Sequence, residues 1–260
     1  FKFSVFLSFV LSFSANGQTD FVAEEIQLKN DSVVLPGTLT YSNSKPNQHL
    51  VIYVHGSGNV DRNGNQAGVI NANYIKQLSE ALNRNGIAFY RYDKRTATQA
   101  NMKFLMQGVS FTDFVEDAKI AIEHFKNDDR FSSITLIGHS QGSLVAMLAI
   151  SEAVDKYISI AGPSSSIDKT ITAQLKKQNG DSIAGIAASH FEELKKTGKI
   201  EEVNPMLFQL FNPQNLSFIK SWMMYNPKEE IAKLNLPILI IGGEKDIQVP
   251  IEEAKALHQA

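Results

Sequence analysis

Two stretches near the start of the chain, Val22 to Leu28 and Val33 to Tyr41, set apolar against polar residues at roughly every second position. Lys29-Asn30-Asp31-Ser32 between them is rich in turn formers. Side chains alternate faces along a strand, so the pattern predicts an antiparallel pair. His49 to Val54 is almost wholly apolar, as expected of a strand covered on both faces. After a loop rich in Asn, Gly and Asp (Asn59 to Gly68) the period lengthens, and Asn71 to Asn85 reads as an amphipathic helix closed by Gly86. Ile87 to Tyr92 is a further strand. Phe111 to Lys126 places Phe114, Ala118, Ala121, Ile122 and Phe125 on one helical face, with Ser110 or Thr112 as its cap. A strand ending at Ile137, a helix over Leu144 to Ile150 and a strand over Tyr157 to Ile160 complete the run.

Strands alternating with helices predict an α/β domain with a mostly parallel sheet covered by helices on both faces. The alternation breaks at Gly162-Pro163. Residues 164–235 carry helical periodicity and Lys/Glu-rich segments with no strand pattern, which predicts a helical cap inserted over the carboxyl edge of the sheet. Leu236 to Gly243 resumes the sheet, and Pro250 to Gln259 reads as a helix opened by proline and two glutamates. The core is therefore expected in residues 18–163 and 236–260.

Chemistry concentrates where the strand ending at Ile137 runs into Gly138-His139-Ser140-Gln141-Gly142 and then directly into a helix. A Gly-x-Ser-x-Gly pentapeptide in a strand–turn–helix context is a nucleophile elbow. The turn is tight enough that a Cβ at Gly138 or Gly142 is expected to strike the neighbouring strand and helix. Ser140 then projects from the sheet edge at a helix N-terminus, where the dipole favours developing negative charge.

Acyl transfer by serine also needs a base, a group to orient that base, and donors for the oxyanion. In this architecture the acid follows the serine, and the histidine follows the acid. Asp246 lies just past a buried strand in Gly242-Gly243-Glu244-Lys245-Asp246, on the edge where such sheets keep their sites. Its plain alternative is a turn aspartate capping the next helix, and Glu244 is the fallback acid. The oxyanion donors are expected to be the backbone N–H groups of Gln141 and of Ser57, or Gly58, in His55-Gly56-Ser57-Gly58. That glycine-rich loop also suits an ordinary tight turn.

These motifs make the chain resemble the α/β-hydrolase superfamily of serine hydrolases from Gln18 to its C-terminal residue, apart from the cap. His55-Gly56-Ser57-Gly58 with Asp61-Arg62-Asn63-Gly64, Arg91-Tyr92-Asp93-Lys94-Arg95, and Asp246-Ile247-Gln248-Val249-Pro250 are similar to exported bacterial esterases and to the serine-aminopeptidase-like branch. Members usually continue Gly-x-Gly after the arginine at position 95, where this chain has Thr96-Ala97-Thr98. The resemblance implies a structural place for His55 and a polar network of Asp61, Arg62, Asp93 and Arg95 around the site, with substrate contact from Arg62 as the alternative. It also implies a catalytic histidine one helix and one strand after the acid. Only His258 follows Asp246. At ~1.5 Å rise per residue the helix carries it roughly 12 Å from the acid turn, so it is a poor candidate base. The expectation is that the final strand and helix, with the base, are missing from these residues.

Composition narrows the function further. The net charge of −2 and the absence of a long basic run speak against nucleic acid. No cysteine is present, which removes a disulfide framework, a thiolate metal site and a cysteine nucleophile. The six histidines have no metal-like spacing, so neither metal nor cofactor is expected. Lys2 followed by the apolar run 3–13 and by Ala15-Asn16-Gly17 reads as a signal-peptide remnant over residues 1–17, too short for stable membrane insertion. A buried strand is the alternative there. The expected protein is an exported, periplasmic or secreted serine hydrolase acting on a small-molecule acyl ester. A peptidase or thioesterase on the same fold, or a non-catalytic binding protein, stands as the alternative. A peptidase would need a charged anchor such as Glu192, Glu193 or a cap lysine. In the cap, Phe208, Phe211, Phe218, Trp222, Met223, Met224 and Tyr225 either line an acyl pocket or pack together.

Overall fold

The computed structural model describes residues 21–106 and 108–260; the proposed signal-peptide segment lies outside the described residues. Strands β1 (Phe21–Asn30) and β2 (Val33–Ser42) pair antiparallel through a turn in which Asp31 takes a φ of 52°. That turn is two residues, tighter than the Lys29–Ser32 stretch suggested. Strand β3 (Gln48–Val54) follows, then a minor hairpin of β4 (Asn65–Gln66) and β5 (Ile70–Asn71), helix α1 (Tyr74–Asn83) and strand β6 (Ala88–Tyr92). After a short helix α2 (Met102–Leu105), helix α3 (Phe111–Phe125) starts at a capping box made by Ser110 and Asp113.

Strand β7 (Phe131–His139) runs straight into α4 (Gln141–Ala149), and β8 (Lys156–Ile160) comes next. The region expected to be a cap contains α5 (Ile167–Asn179), α6 (Asp181–Thr197), α7 (Phe208–Phe211), α8 (Pro213–Trp222) and α9 (Pro227–Ile231). Strand β9 (Ile238–Ile241) and helix α10 (Ile251–His258) close the described chain.

Seven strands form one sheet in the order β1-β2-β6-β3-β7-β8-β9. The strands from β6 to β9 are mutually parallel, and β2 joins β6 antiparallel. Parallel strands end on a common edge, so the loops after β6, β3, β7, β8 and β9 converge there. This is the α/β-hydrolase arrangement, with β7 flanked on both sides and its carboxyl end in the middle of the edge.

Three clusters hold these layers. Helices α3, α4 and α10 pack on one sheet face around Leu50, Ile52, Tyr90, Phe111, Phe125 and Leu136. Helix α1 covers part of the other face, with Val51, Phe89 and Ile137. The helices between β8 and β9 have a cluster of their own, of Ala187, Phe191, Leu194, Leu207, Phe211 and Ile219. Helix α9 packs against α4 and α10, and Ile231 belongs to the main core. At the sheet's edge, Leu239 and Ile241 of β9 are exposed. No helix among the described residues is long and apolar enough to cross a membrane.

Candidate active site

Ser140 stands at the junction of β7 and α4 with φ 52° and ψ −120°, a backbone conformation that a non-glycine residue adopts only where its surroundings enforce it. The enforcement is visible at the flanking glycines. A Cβ on Gly142 would collide with the carbonyl oxygens of Val54 and His55, and one on Gly138 with Gly142 and Ser143 of the helix. The Ser140 N–H donates to the Ile160 carbonyl at 2.9 Å, which ties the elbow to β8. Its side chain is left half-exposed on the sheet edge.

Ser57, Gly58 and Gln141 line one cavity of about 690 Å³ together with Ile171, Leu210, Phe218 and Trp222 from the helices between β8 and β9. Among the described residues, no other residue takes up the backbone N–H groups of Ser57 and Gln141. Gln141 is the first residue of α4, whose leading N–H groups have no partner within the helix. The loop and the helix start thus both line this cavity, and each has a backbone N–H without a partner among the described residues. Gly56 packs against His139 and Ser140, and Gly58 takes a φ of 96°.

Asp246 lies in the turn after β9. Its Oδ1 accepts the N–H groups of Gln248 and Val249 at 2.8 and 2.9 Å, so one oxygen is spent on shaping the turn. Burial lowers the pKa of His139, and the charge of Asp246 opposes that shift. The charge of Asp246 therefore reaches the residue next to Ser140. Glu244, the fallback acid, is exposed in the same turn.

His55 is buried edge-on to Tyr53 and Tyr92, and burial drives its pKa down to about 3, with Lys94 adding to the shift. It is neutral and packed, in keeping with a structural place. The His139 ring packs edge-on to Tyr74, and its Nδ1 has no partner among the described residues. His49 pairs with Ser133, His124 packs on Phe125, and His190 Nε2 accepts from the Asn204 N–H in the cap. His258 is exposed in the last turn of α10. Among the described residues no hydrogen bond joins it to Ser140 or Asp246.

The polar network expected around the site is present in two parts. Arg62 grips Asp93 with Nε and Nη2 at 2.9 Å and reaches Glu25 and Thr38. Arg95 holds Asp117, while Asp61 caps its own loop through the N–H groups of Asn63 and Asn65. Arg62 is fully engaged in this way, which favours its structural place over substrate contact.

Lys94, unassigned from the sequence, is the residue the structure adds. It is buried on the cavity wall and donates to the Gly56 carbonyl and to Gln141 Oε1. Of the seven cap residues singled out, Phe218 and Trp222 line the cavity. Phe211 is in the cap core, Tyr225 packs on Phe111, and Phe208 and Met224 are exposed. The remaining apolar wall comes from Met102, Leu105, Met106, Val109, Phe114, Ile171 and Leu210.

The elbow, the edge turn and the amide-lined cavity define an α/β-hydrolase. The chain belongs to the serine aminopeptidase S33 family of hydrolases, whose model matches residues 68–206. No curated protein matches the chain. Among solved structures it is similar to Est1E from Butyrivibrio proteoclasticus, at 18% identity and a TM-score of 0.57, covering 90% of this chain and 84% of that one. It is also similar to the Pyrococcus furiosus esterase Pf2001, at 19% identity and a TM-score of 0.61, covering 96% and 81%. Pyrococcus horikoshii acylaminoacyl peptidase matches at 14% identity and a TM-score of 0.57, covering 92% of this chain and 35% of that one. At these identities the likeness concerns the fold.

Proposed function

We propose that this protein is a carboxylesterase-type serine hydrolase that cleaves small-molecule acyl esters through an acyl-enzyme on Ser140. The observation that carries the reading is the backbone of Ser140, at φ 52° and ψ −120° between two glycines with no room for a side chain. Such strain is stored where function uses it. Ser140 Oγ attacks the ester carbonyl, its proton passes to a base, and the alcohol leaves with that proton. Water then releases the acid by the same two steps in reverse order. The Ser57 and Gln141 N–H groups stabilise the oxyanion, and Asp246 orients the base.

An ester substrate is favoured over a peptide by the cavity wall. Among the described residues no carboxylate lines it, so nothing there would hold the α-amino group of a peptide. Glu192 and Glu193 flank a separate surface depression with Lys196 and Thr197. The base is assigned to none of the six histidines, because each is packed, partnered or exposed elsewhere.

Labelling with a fluorophosphonate tests the assignment. The expected result for the 260-residue chain is slow labelling that Ser140→Ala abolishes and that added imidazole accelerates, since none of its six histidines is assigned as the base. Labelling that survives Ser140→Ala overturns the nucleophile. Rapid Ser140-dependent ester hydrolysis without added base would show that a base does reside among these residues and bring His258 back.

A further inference from the structure

We propose that Lys94 is the positioning residue of the oxyanion site, one ammonium orienting both backbone donors through the Gly56 carbonyl and the Gln141 side chain. The inference rests on the acyl-transfer reading of Ser140 and deepens it. Lys94 Nζ lies 2.7 Å from the Gly56 oxygen and 2.8 Å from Gln141 Oε1. Its third side faces the ring of Phe114, 4.6 Å from the centroid.

The effect on Ser57 follows from peptide geometry. The Gly56 C=O and the Ser57 N–H belong to one planar trans unit and point in opposite directions. Pinning the oxygen on the side of Lys94 aims the N–H the opposite way and fixes the plane against rotation. The same contact polarises the unit, since a carbonyl that accepts a charge-assisted hydrogen bond makes its own N–H a better donor. On the other side, Lys94 holds the side chain of the residue whose N–H opens α4. The loop after β3 and the start of α4 are thereby locked to one point, and that point lies on the wall of the cavity they both line.

Lys94 is itself well anchored. Its N–H donates to the Val60 carbonyl at 3.1 Å, and its carbonyl accepts from Ala97 N–H and Thr98 Oγ1. With its donors directed at Gly56, Gln141 and Phe114, the ammonium is occupied and not waiting for a substrate anion. A buried ammonium is costly unless its hydrogen bonds are satisfied. Methionine of nearly the same length would fill the space without that cost but would lose both hydrogen bonds, to the Gly56 oxygen and to Gln141 Oε1.

The test compares wild type with Lys94→Met and Gln141→Leu, the latter keeping the backbone donor while cutting one arm. Fluorophosphonate labelling yields a maximal rate and a saturation constant for each. Oxyanion donors act on the transition state, so the expected loss in Lys94→Met is in the maximal rate, about 10- to 100-fold, below the 10²–10³ of deleting a donor outright. The saturation constant should stay within about twofold. Gln141→Leu should lose roughly 3- to 10-fold in the same parameter, and it decides the matter if Lys94→Met fails to fold. Backbone ¹⁵N relaxation gives an independent reading: order parameters of Ser57 and Gln141 should fall in Lys94→Met from about 0.85 toward 0.6.

A wild-type maximal rate in both variants, or a loss confined to the saturation constant, overturns the proposal. So do unchanged order parameters at Ser57 and Gln141. Failure of wild type to label at all, even with imidazole, would count against Ser140 as nucleophile. The relaxation measurement would still decide whether Lys94 orients the two amides.

Discussion

Arg95 holds both carboxylate oxygens of Asp117, Nε to Oδ2 and Nη2 to Oδ1, each at 2.7 Å, with side chains only 7% and 2% exposed. Asn30 donates to the same carboxylate at 2.9 Å, so one buried pair joins the first hairpin, the loop after β6 and α3. A bidentate guanidinium–carboxylate pair has the geometry that makes burial of two charges tolerable.

Asp117→Ala should therefore be strongly destabilising. Removing one partner of a buried pair costs about 3–5 kcal/mol, because the other charge is left without compensation. Asp113, 3.5 Å from Arg95 Nη1, softens but does not abolish the loss. Urea unfolding should show a much lower midpoint for Asp117→Ala, with Arg95→Met/Asp117→Ala closer to wild type than the sum of the single changes. Strict additivity of the two would argue that the pair is not coupled.

The elbow supplies a second prediction. A methyl group on Gly142 collides with backbone oxygens of Val54 and His55, atoms that cannot rotate away. Gly142→Ala should cost about 1–3 kcal/mol, the usual range for overpacking. It should also displace Ser140 enough to reduce probe labelling by a factor of roughly 10². An exposed helical glycine such as Gly185, which has nothing within 4 Å of a built Cβ, gives the control. Its replacement should not change the labelling rate.

The elbow was legible in the sequence because its constraint is local: Gly138, Ser140 and Gly142 lie within one turn, and the apolar run before them already identifies a strand. The sheet was legible for a similar reason, its strands being almost continuously apolar. Lys94 was not, since its place depends on Gly56, Gln141 and Phe114, which are distant in sequence and meet only at the sheet edge. Helical periodicity in the cap likewise showed that Phe211 and Phe218 are inward-facing without showing toward what. Phe211 turned into the cap core and Phe218 toward the cavity. The minor β4–β5 hairpin is two residues per strand, too short to leave any pattern.

Burial lowers the pKa of Lys94 to about 7, and the charge of Asp117 opposes the shift. The folded value lies below the unfolded one, near 10.4. Between these two, the unfolded chain binds a proton that the folded chain does not, so stability from this residue rises with pH across that window. Below about pH 7 the penalty of burying the ammonium is fully present. Lys94→Met removes this dependence. In urea unfolding at pH 6.5 and 9.5, the variant should compare more favourably with wild type at the lower pH. A difference independent of pH would mean that Lys94 does not titrate in this range.

The cavity lined by Ser57 and Gln141 makes the last prediction, on substrate size. At about 690 Å³, with Leu105, Met106, Val109, Phe114, Phe218 and Trp222 on its walls, it has room for far more than an acetyl group. Trp222 also borders the small recess that contains Ser140, and it is held there by stacking on Phe111 at 5.1 Å. A long acyl chain on Ser140 would thus have its apolar part buried along this wall, each methylene contributing about 0.8 kcal/mol when fully removed from water. Leu105→Trp places bulk in the cavity while leaving Ser57, Gln141 and Lys94 unchanged. In kcat/KM it should penalise an octanoyl ester by about 10-fold relative to an acetyl ester, the discrimination expected from losing one or two methylenes of contact. Equal losses on both esters would show that the chain lies elsewhere, and the cavity would then have to be reassigned to the leaving alcohol.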